Sequence, residues 1–196
     1  VTVNKFIAGI TGATTNVDLG TSTINISDVF QAYYGTINMS SANSNLNFIN
    51  PVINKMYLWV TGQTFNDIYF QANAEVIGSF NCQDLTADGG FYINAYWTTS
   101  SCADATFGSS ATLDCNLNAF SVNLTSTDVF LKIKNLNIAT TFTANGICGE
   151  PIEIRPIDFL IGATLTIPTG IITVEYATIT SILATGGATF IANNSV

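Results

Sequence analysis

Apolar and polar side chains alternate along most of this chain with a period of two. In residues 91–97, Phe91, Ile93, Ala95 and Trp97 alternate with more polar neighbours, as expected for a strand with one buried face. No segment has a convincing helical period. The same pattern predicts strands over residues 56–61, 67–77, 111–117, 120–125, 129–133, 136–142, 152–154, 159–167, 171–183 and 188–192.

Glycine and proline separate these segments. Pro168-Thr169-Gly170 and Gly186-Gly187 are typical of turns between strands, and Asp88-Gly89 predicts a hairpin turn. The parity of the apolar positions changes near Ala177, which predicts a bulge or bend there. No repeat with a fixed period of about 20 to 50 residues is present, which argues against a solenoid or a propeller. The predicted fold is therefore all-β, an antiparallel β-sandwich of the immunoglobulin or pilin type.

The composition restricts the partners of this domain. The 196 residues suffice for one domain with its own core. Only 9% of them are charged and 47% are hydrophobic, with a mean hydropathy of +0.37, which is too apolar for a disordered chain. The net charge is −8, so a phosphate backbone would be repelled and nucleic acid is not an expected partner. The only cations are Lys5, Lys55, Lys132, Lys134 and Arg155.

The chain contains no histidine, which removes Ser-His-Asp and Cys-His catalysis and histidine zinc ligands. Glycoside cleavage by two carboxylates is the remaining enzymatic route. No spacing pairs the acids that could supply it, so we expect no catalytic residues, no cofactor and no enzymatic activity. These acids are Glu75, Asp104, Asp114, Glu150, Glu153 and Glu175.

Residues 84–89 give the strongest metal-like signal, because Asp84, Thr86 and Asp88 alternate before Gly89 as in a calcium loop. The bidentate glutamate that such a loop needs is missing, since Ala95 occupies its position. The segment is therefore interpreted as a structural turn, and no metal site is expected.

Cysteines and glycosylation sequons point to an extracellular protein. Four cysteines in a chain of this composition predict two disulfides, with all three pairings open; they are Cys82, Cys102, Cys115 and Cys148. Asparagines followed by the acceptor pattern predict N-linked glycans; they are Asn25, Asn38, Asn123 and Asn193.

The chain begins at Val1 without a charged segment or an apolar signal core. We interpret it as a mature product after signal removal, located outside the cell. Its apolar stretches, such as residues 159–167, are too short to cross a bilayer. The protein is therefore not expected to span a membrane.

Exposed aromatic side chains would provide a carbohydrate-binding surface. The candidates are Trp59, Trp97, Tyr92, Tyr96, Tyr33 and Tyr34. Trp97 shares parity with Phe91 and Ile93, so it is expected to pack inward, whereas Tyr92 and Tyr96 are expected on the outer face. Core and cross-strand packing is the favoured interpretation of this set.

The N-terminal segment differs from the rest of the chain. Residues 1–15 are apolar and β-prone and contain no cysteine or sequon, so they predict an arm and linker in front of a domain at residues 16–196. Phe6, Ala8 and Ile10 share one parity, whereas Val1 and Val3 share the other. A strand that uses both sets needs a kink near Lys5, or two environments. An ordinary first strand within its own sheet fits the pattern almost as well as an arm that pairs with another subunit.

In its apolar N-terminal segment, its Asn/Thr/Ser-rich β body, its sequons and its few charges, the chain resembles the donor-strand-exchanged surface pilins of archaea, including the glycosylated thread filaments of thermoacidophilic species. The resemblance implies that the N-terminal strand of one subunit completes the sandwich of the next. It also implies glycans on the four sequon asparagines. The implied donor positions are Val1, Val3, Phe6, Ala8 and Ile10.

The predicted function is a structural subunit of an extracellular cell-surface filament. Its partners would be identical subunits joined head to tail, and the filament would serve adhesion or cell contact through surface or glycan ligands. The alternative is a monomeric or oligomeric surface adhesin, a carbohydrate-binding β-sandwich or a viral coat sandwich. Filaments that are lost on removal of residues 1–10 would support the first, and binding to a glycan array the second.

Overall fold

A computed structural model describes residues 1–9, 13–32, 36–49 and 55–195. All helical or strand structure within these residues consists of β-strands. Almost all pairing is parallel, and the strands wind into a β-solenoid of about nine turns. The expected antiparallel β-sandwich is therefore wrong. The strands are β1 (Thr2–Ala8), β2 (Thr14–Asp18), β3 (Thr23–Ala32), β4 (Thr36–Ser40), β5 (Asn45–Phe48), β6 (Met56–Thr64), β7 (Asp67–Phe70), β8 (Ala74–Ala87), β9 (Phe91–Phe107), β10 (Ala111–Leu124), β11 (Phe130–Ala144), β12 (Ile152–Pro156), β13 (Ala163–Thr166), β14 (Ile171–Glu175), β15 (Ala177–Ile179), β16 (Ile182–Thr185) and β17 (Thr189–Asn193).

Successive turns stack in register and form three ladders along the solenoid. Each ladder is identified by a column of side chains at one inward position. The column of ladder 1 is Ile24, Leu46, Ile68, Leu85, Ala105, Val122 and Phe142. That of ladder 2 is Phe6, Phe30, Leu58, Val76, Ile93, Leu113, Ile133 and Pro156. That of ladder 3 is Ser100, Leu117, Leu136, Leu165 and Ala184.

The hydrophobic core fills the inside of the coil. Phe30, Leu58 and Leu113 are 0% exposed, and each buried side chain of this size stabilises the fold by roughly 1.5–3 kcal/mol. Aromatic rings stack along the axis, with 4.6 Å between the ring centres of Phe6 and Phe30. The alternation in residues 91–97 is confirmed for Phe91, Ile93 and Ala95, which are buried.

The turns differ in length, and this explains why no fixed repeat is visible in the sequence. Hydrogen-bonded side chains on neighbouring turns are 22 residues apart for Asn25 and Asn47. The separation is 17 residues for Asp104 and Ser121. A solenoid needs only the inward parity of each ladder to be preserved, so its corners absorb insertions. The expectation that the chain is not a solenoid is therefore wrong.

Asp88-Gly89 lies at a corner where the chain passes from ladder 1 to ladder 2. The preceding residue, Ala87, pairs with Phe107, and the following strand begins with Phe91, which pairs with Ala111. The two flanking strands, β8 and β9, pair with each other in parallel, as neighbouring turns do, and not as antiparallel strands across this turn. The turn is present, but the hairpin interpretation is wrong.

Polar ladders on the outer surface account for the abundance of asparagine and threonine. The Asn118 and Asn137 side chains are joined by a 2.8 Å hydrogen bond, and those of Asn116 and Asn135 by another of 2.8 Å. In ladder 3, Ser101 donates to Asn81 at 2.6 Å. These side chains satisfy one another between turns with little charge. Among the described residues, no helix is long and apolar enough to cross a membrane.

Candidate functional site

Both ends of the solenoid carry strands that pair along one edge only. In the described residues, β1 pairs only with β3 and β2 only with β4 at the first turn. At the last turn, β15, β16 and β17 pair only with β12, β13 and β14. Each of these strands therefore presents a row of backbone N–H and C=O groups along the solenoid axis. Such edges accept a further strand.

The core columns also end in exposed apolar side chains. In ladder 2, Ile154 is 1% exposed, but Ile179, its register partner on the last turn, is 37% exposed. In ladder 3, Leu165 is buried, whereas its partner Ala184 is exposed. At the first turn, Phe6 is only half-buried on top of the fully buried Phe30. The ends are thus apolar surfaces as well as strand edges.

The two ends match each other ladder by ladder. Val3 pairs into ladder 1 and Phe6 into ladder 2 at the first turn, while β17 and β15 end the same two ladders at the last turn. β16 ends ladder 3. At the first turn, the β2–β4 sheet adjoins ladder 3, because the hydroxyl of Ser41, just after β4, donates to the carbonyl of Thr64. All of these pairs are parallel, so a second copy stacked in the same direction would extend every ladder.

The predicted donor residues lie in the first turn of their own chain. Val3 is in register with Ile26, and Phe6 with Phe30. The register shifts between Val3 and Lys5, so the kink predicted near Lys5 is present, and the two parities serve two ladders. Val1 and Ile7 are exposed and Ala8 is buried, while Ile10 lies outside the described residues. Because the fold is a solenoid, there is no sandwich that the N-terminal strand of another subunit could complete.

Three carboxylates form a column that the sequence did not reveal. Asp67, Asp84 and Asp104 occupy the same outward position on consecutive turns of ladder 1, about 4.8 Å apart. Burial, followed by the charges of Asp67 and Asp104, raises the pKa of Asp84 above its usual range. The column ends at Ser121, whose hydroxyl donates to Asp104. Three acids separated in sequence by turns of unequal length give no local motif.

The other acids named as catalytic candidates lie apart from this column. Glu75 is held by Lys55 at 2.5 Å, and Glu153 by Arg155 at 2.9 Å. Glu150 accepts a hydrogen bond from the Thr127 hydroxyl at 2.7 Å. Asp114 is on β10, outward in ladder 2, and Glu175 ends β14. The structure does not assemble these acids into one cleft.

The segment interpreted as a turn rather than a calcium loop splits between a strand and a corner. Asp84 lies in the carboxylate column, and Asp88 accepts a 2.6 Å hydrogen bond from the Tyr69 hydroxyl. That bond, followed by burial and the charge of Asp88, raises the pKa of Tyr69. Over the residues that the structure describes, no group of three or more acids and cysteines is arranged to hold a metal ion.

Aromatic side chains collect on the outer surface of ladder 2. Tyr57 and Trp59 are half-buried with 6.4 Å between ring centres, and Lys55 lies over the Tyr57 ring at 5.6 Å. Tyr92 shares the outward column of Tyr57 and Glu75, as its predicted outer position requires. Tyr33 and Tyr34 lie outside the described residues, as do the side chains of Tyr96 and Trp97.

All four sequon asparagines lie in strands. Asn25 in β3 accepts a hydrogen bond from Asn47 at 3.3 Å, and Asn38 in β4 donates to Asn16 at 2.9 Å. Asn123 is half-buried in β10, and Asn193 is exposed in β17. Two of these amides are thus already part of side-chain ladders, and glycosylation of the four remains a prediction.

The four cysteines are free thiols in the structure. Cys82 and Cys102 are register partners on adjacent turns. Cys115 is fully buried, and burial, followed by the charges of Asp114 and Cys102, raises its pKa to about 12. Cys148 is exposed in the segment after β11. The predicted two disulfides remain a prediction, for which the structure places one pair in register.

The architecture places the chain among the parallel β-solenoids, with unpaired strand edges and exposed apolar columns at both ends. Comparison with known proteins gave no match: no family model, no curated protein and no solved structure matches the chain.

Proposed function

We propose that this protein is a structural subunit of an extracellular filament, in which the last turn of one copy stacks on the first turn of the next. The observation that carries the proposal is that ladders 1 and 2 reach both ends of the solenoid, while ladder 3 reaches the last turn and is adjoined at the first by the β2–β4 sheet, with parallel strands and open edges throughout. An interface between two different surfaces of the same chain leaves one free copy of each surface after every addition. It therefore generates an open filament unless its rotation happens to form a ring.

Several contacts would form together at each junction. The edge strands contribute main-chain hydrogen bonds, and the half-exposed columns at Val3, Phe6, Ile179 and Ala184 would become buried. Association costs at least about 4 kcal/mol of lost translational and rotational freedom. Burying several side chains of this size offsets that cost, because each contributes roughly 1–3 kcal/mol. Stacking replaces the donor-strand insertion that the sequence suggested.

Support for the extracellular location comes from the low charge content and the sequons, and an outer surface with few charges suits a filament that meets other surfaces. We propose no catalytic role. Adhesion or cell contact would then use the sides of the solenoid, since the ends are occupied within the filament. The N-linked glycans at Asn25, Asn38, Asn123 and Asn193 belong to the same proposal.

The test uses one charge at each end. Val3→Lys places an ammonium in the first-turn column, and Ala184→Lys places one in the last-turn column; Phe120→Lys on the side of the solenoid, where Phe120 is 56% exposed, is the control. Negative-stain microscopy and light scattering should show filaments for the unmodified protein and the control. Each end variant alone should remain monomeric.

Mixing the two end variants gives the sharper result. The intact first turn of Ala184→Lys can join only the intact last turn of Val3→Lys, so the mixture should stop at dimers. Filaments in either end variant, or a protein that stays monomeric at all concentrations, would contradict the proposal. In the second case, the aromatic outer surface of ladder 2 and glycan binding would be examined next.

A further inference from the structure

Two cysteines lie side by side on neighbouring turns. Cys82 of β8 is in register with Cys102 of β9, and the pairs Asn81–Ser101 and Asp84–Asp104 fix that register on both sides. Adjacent strands of a sheet are about 4.8 Å apart. A disulfide requires about 4.4–6.8 Å between its Cα atoms and side chains on one side of the sheet. Register partners in a parallel ladder meet both conditions.

The two side chains interact across the turns. The Cys102 thiol is the main cause of the raised pKa of the Cys82 thiol, and Cys102 is only 6% exposed, whereas Cys82 is half-buried. The contact therefore lies against the core but is reachable from the Cys82 side. Neither thiol has to cross the core for a bond to form.

The remaining cysteines are less well placed. The register partner of Cys102 on the next turn is Ala119, four positions beyond Cys115 along β10. Cys148 lies in the segment after β11, exposed, at the corner that joins ladder 1 to ladder 2. Cys115 is 0% exposed in the interior, so a Cys115–Cys148 bond would require the chain to move.

We propose that Cys82 and Cys102 form a disulfide that joins two consecutive turns of the solenoid, while Cys115 and Cys148 stay reduced. The oxidant is a small-molecule disulfide. The thiolate of Cys82 attacks one of its sulfurs and expels one thiolate. Cys102, losing its proton to solvent, then attacks the mixed disulfide and expels the second. One S–S bond is exchanged for another, and the oxidant leaves as two thiols.

The environment of Cys82 sets the rate of this exchange. Interaction with the Cys102 thiol, followed by burial, raises the pKa of the Cys82 thiol. Because the thiolate is the attacking species, exchange in the folded protein should be slow at neutral pH and faster at higher pH. The bond closes a loop of one turn, which restricts the unfolded chain and stabilises the native state.

Peptide mapping of the unmodified protein tests the pairing directly. The protein is incubated at pH 8.5 with oxidised glutathione, acidified, alkylated and digested without reduction. Trypsin is unsuitable, because no lysine or arginine lies between Lys55 and Lys132. Cleavage before aspartate places the four cysteines in four separate peptides, since Asp84, Asp88, Asp104, Asp114 and Asp128 lie between them. The expected product is peptide 67–83 linked to peptide 88–103, with Cys115 and Cys148 alkylated.

A thermal measurement adds a second readout. Oxidation should raise the Tm by roughly 5–10 °C, and Cys148→Ser should keep this shift, whereas Cys82→Ser should lose it. A linked peptide containing Cys115, or complete alkylation of Cys82 and Cys102 after oxidation, would overturn the proposal. The mapping does not depend on filament formation, so its failure would leave the stacking proposal untouched.

Discussion

The middle and the last turn of the solenoid contain the same kinds of side chain in the same positions, yet they are packed differently. Ile154 and Ile179 are register partners in one column, and their exposed fractions are 1% and 37%. The strands also become shorter towards the last turn, from 17 residues in β9 to 3 in β15. The difference arises from the missing neighbour on one side. In a solenoid each turn is stabilised by its two neighbours, so an end turn lacks half of its contacts.

The largest expected difference in unfolding free energy is between two glycine-to-alanine variants, in each of which the added Cβ would collide with a backbone carbonyl oxygen. At Gly78 (φ +96°) an added Cβ would lie 1.8 Å from the Val60 carbonyl oxygen, and at Gly186 (φ +95°) it would lie 2.1 Å from that of Ile167. Gly78→Ala must separate two inner turns and should cost at least about 3 kcal/mol in unfolding free energy. Gly186→Ala should cost about 1–2 kcal/mol, because the last turn can shift. Urea unfolding measures both.

Gly62→Ala is the matched control for these two variants. Gly62 has a positive φ of 69°, but no atom lies within 4 Å of its added Cβ. It should cost only about 1 kcal/mol, from backbone strain alone. Equal costs at positions 62 and 78 would show that the turns are not held at the observed spacing.

A smaller difference in stability is expected between two isoleucines that are register partners in one column. Ile154→Ala leaves a cavity between two turns and should destabilise the protein by about 3–4 kcal/mol. Ile179→Ala should cost about 1 kcal/mol in the monomer, because its side chain is already partly in water. Under conditions that favour stacking, the cost at Ile179 should rise towards that at Ile154. Identical costs in the monomer would mean that the last turn is covered by other residues.

The smallest effect concerns the carboxylate column and depends on pH. The raised pKa of Asp84 means that the folded state binds its proton more tightly than the unfolded state. The resulting stabilisation is complete below the usual aspartate pKa and is lost as the pH rises through the folded-state pKa. Asp84→Asn should therefore raise the Tm at pH 7 by about 1 °C and leave it unchanged near pH 3.

Asp18→Asn at the end of β2 serves as the control for this pH experiment, because Asp18 is in register with Ser40 and not with another acid. Measured at both pH values, it gives the effect of removing one carboxylate that does not lie beside another acid. A gain from Asp84→Asn that is equal at pH 3 and pH 7 would show that the raised pKa of Asp84 is not its cause.

Strand content was predictable because alternation is a local signal. The strand predicted over residues 56–61 is present as β6, and the bend near Ala177 occurs where Tyr176 has a φ of +47°. The prediction for residues 159–167 starts too early, since Phe159 and Leu160 form an exposed turn and the strand begins at Ala163. A run of apolar residues in an exposed turn has the same local pattern as a short buried strand.

Neither the stacking of turns nor the sites that depend on it could be read from the sequence. The contact of Cys82 with Cys102, the aspartate column and the asparagine ladders all join residues about 17–22 positions apart. Unequal turn lengths hide that spacing. The same irregularity conceals the repeat, and many short strands without a visible repeat favour a sandwich.

The sequence by itself determined that the chain is all-β, which side of most strands is inward, and that histidine chemistry is absent. These properties follow from single residues and from period-two alternation. Only the tertiary structure decided that the strands run parallel, that they stack into three ladders, and that both ends remain open. An alternating strand buries the same face beside a parallel or an antiparallel neighbour, so the pattern within one strand carries no information about its partner.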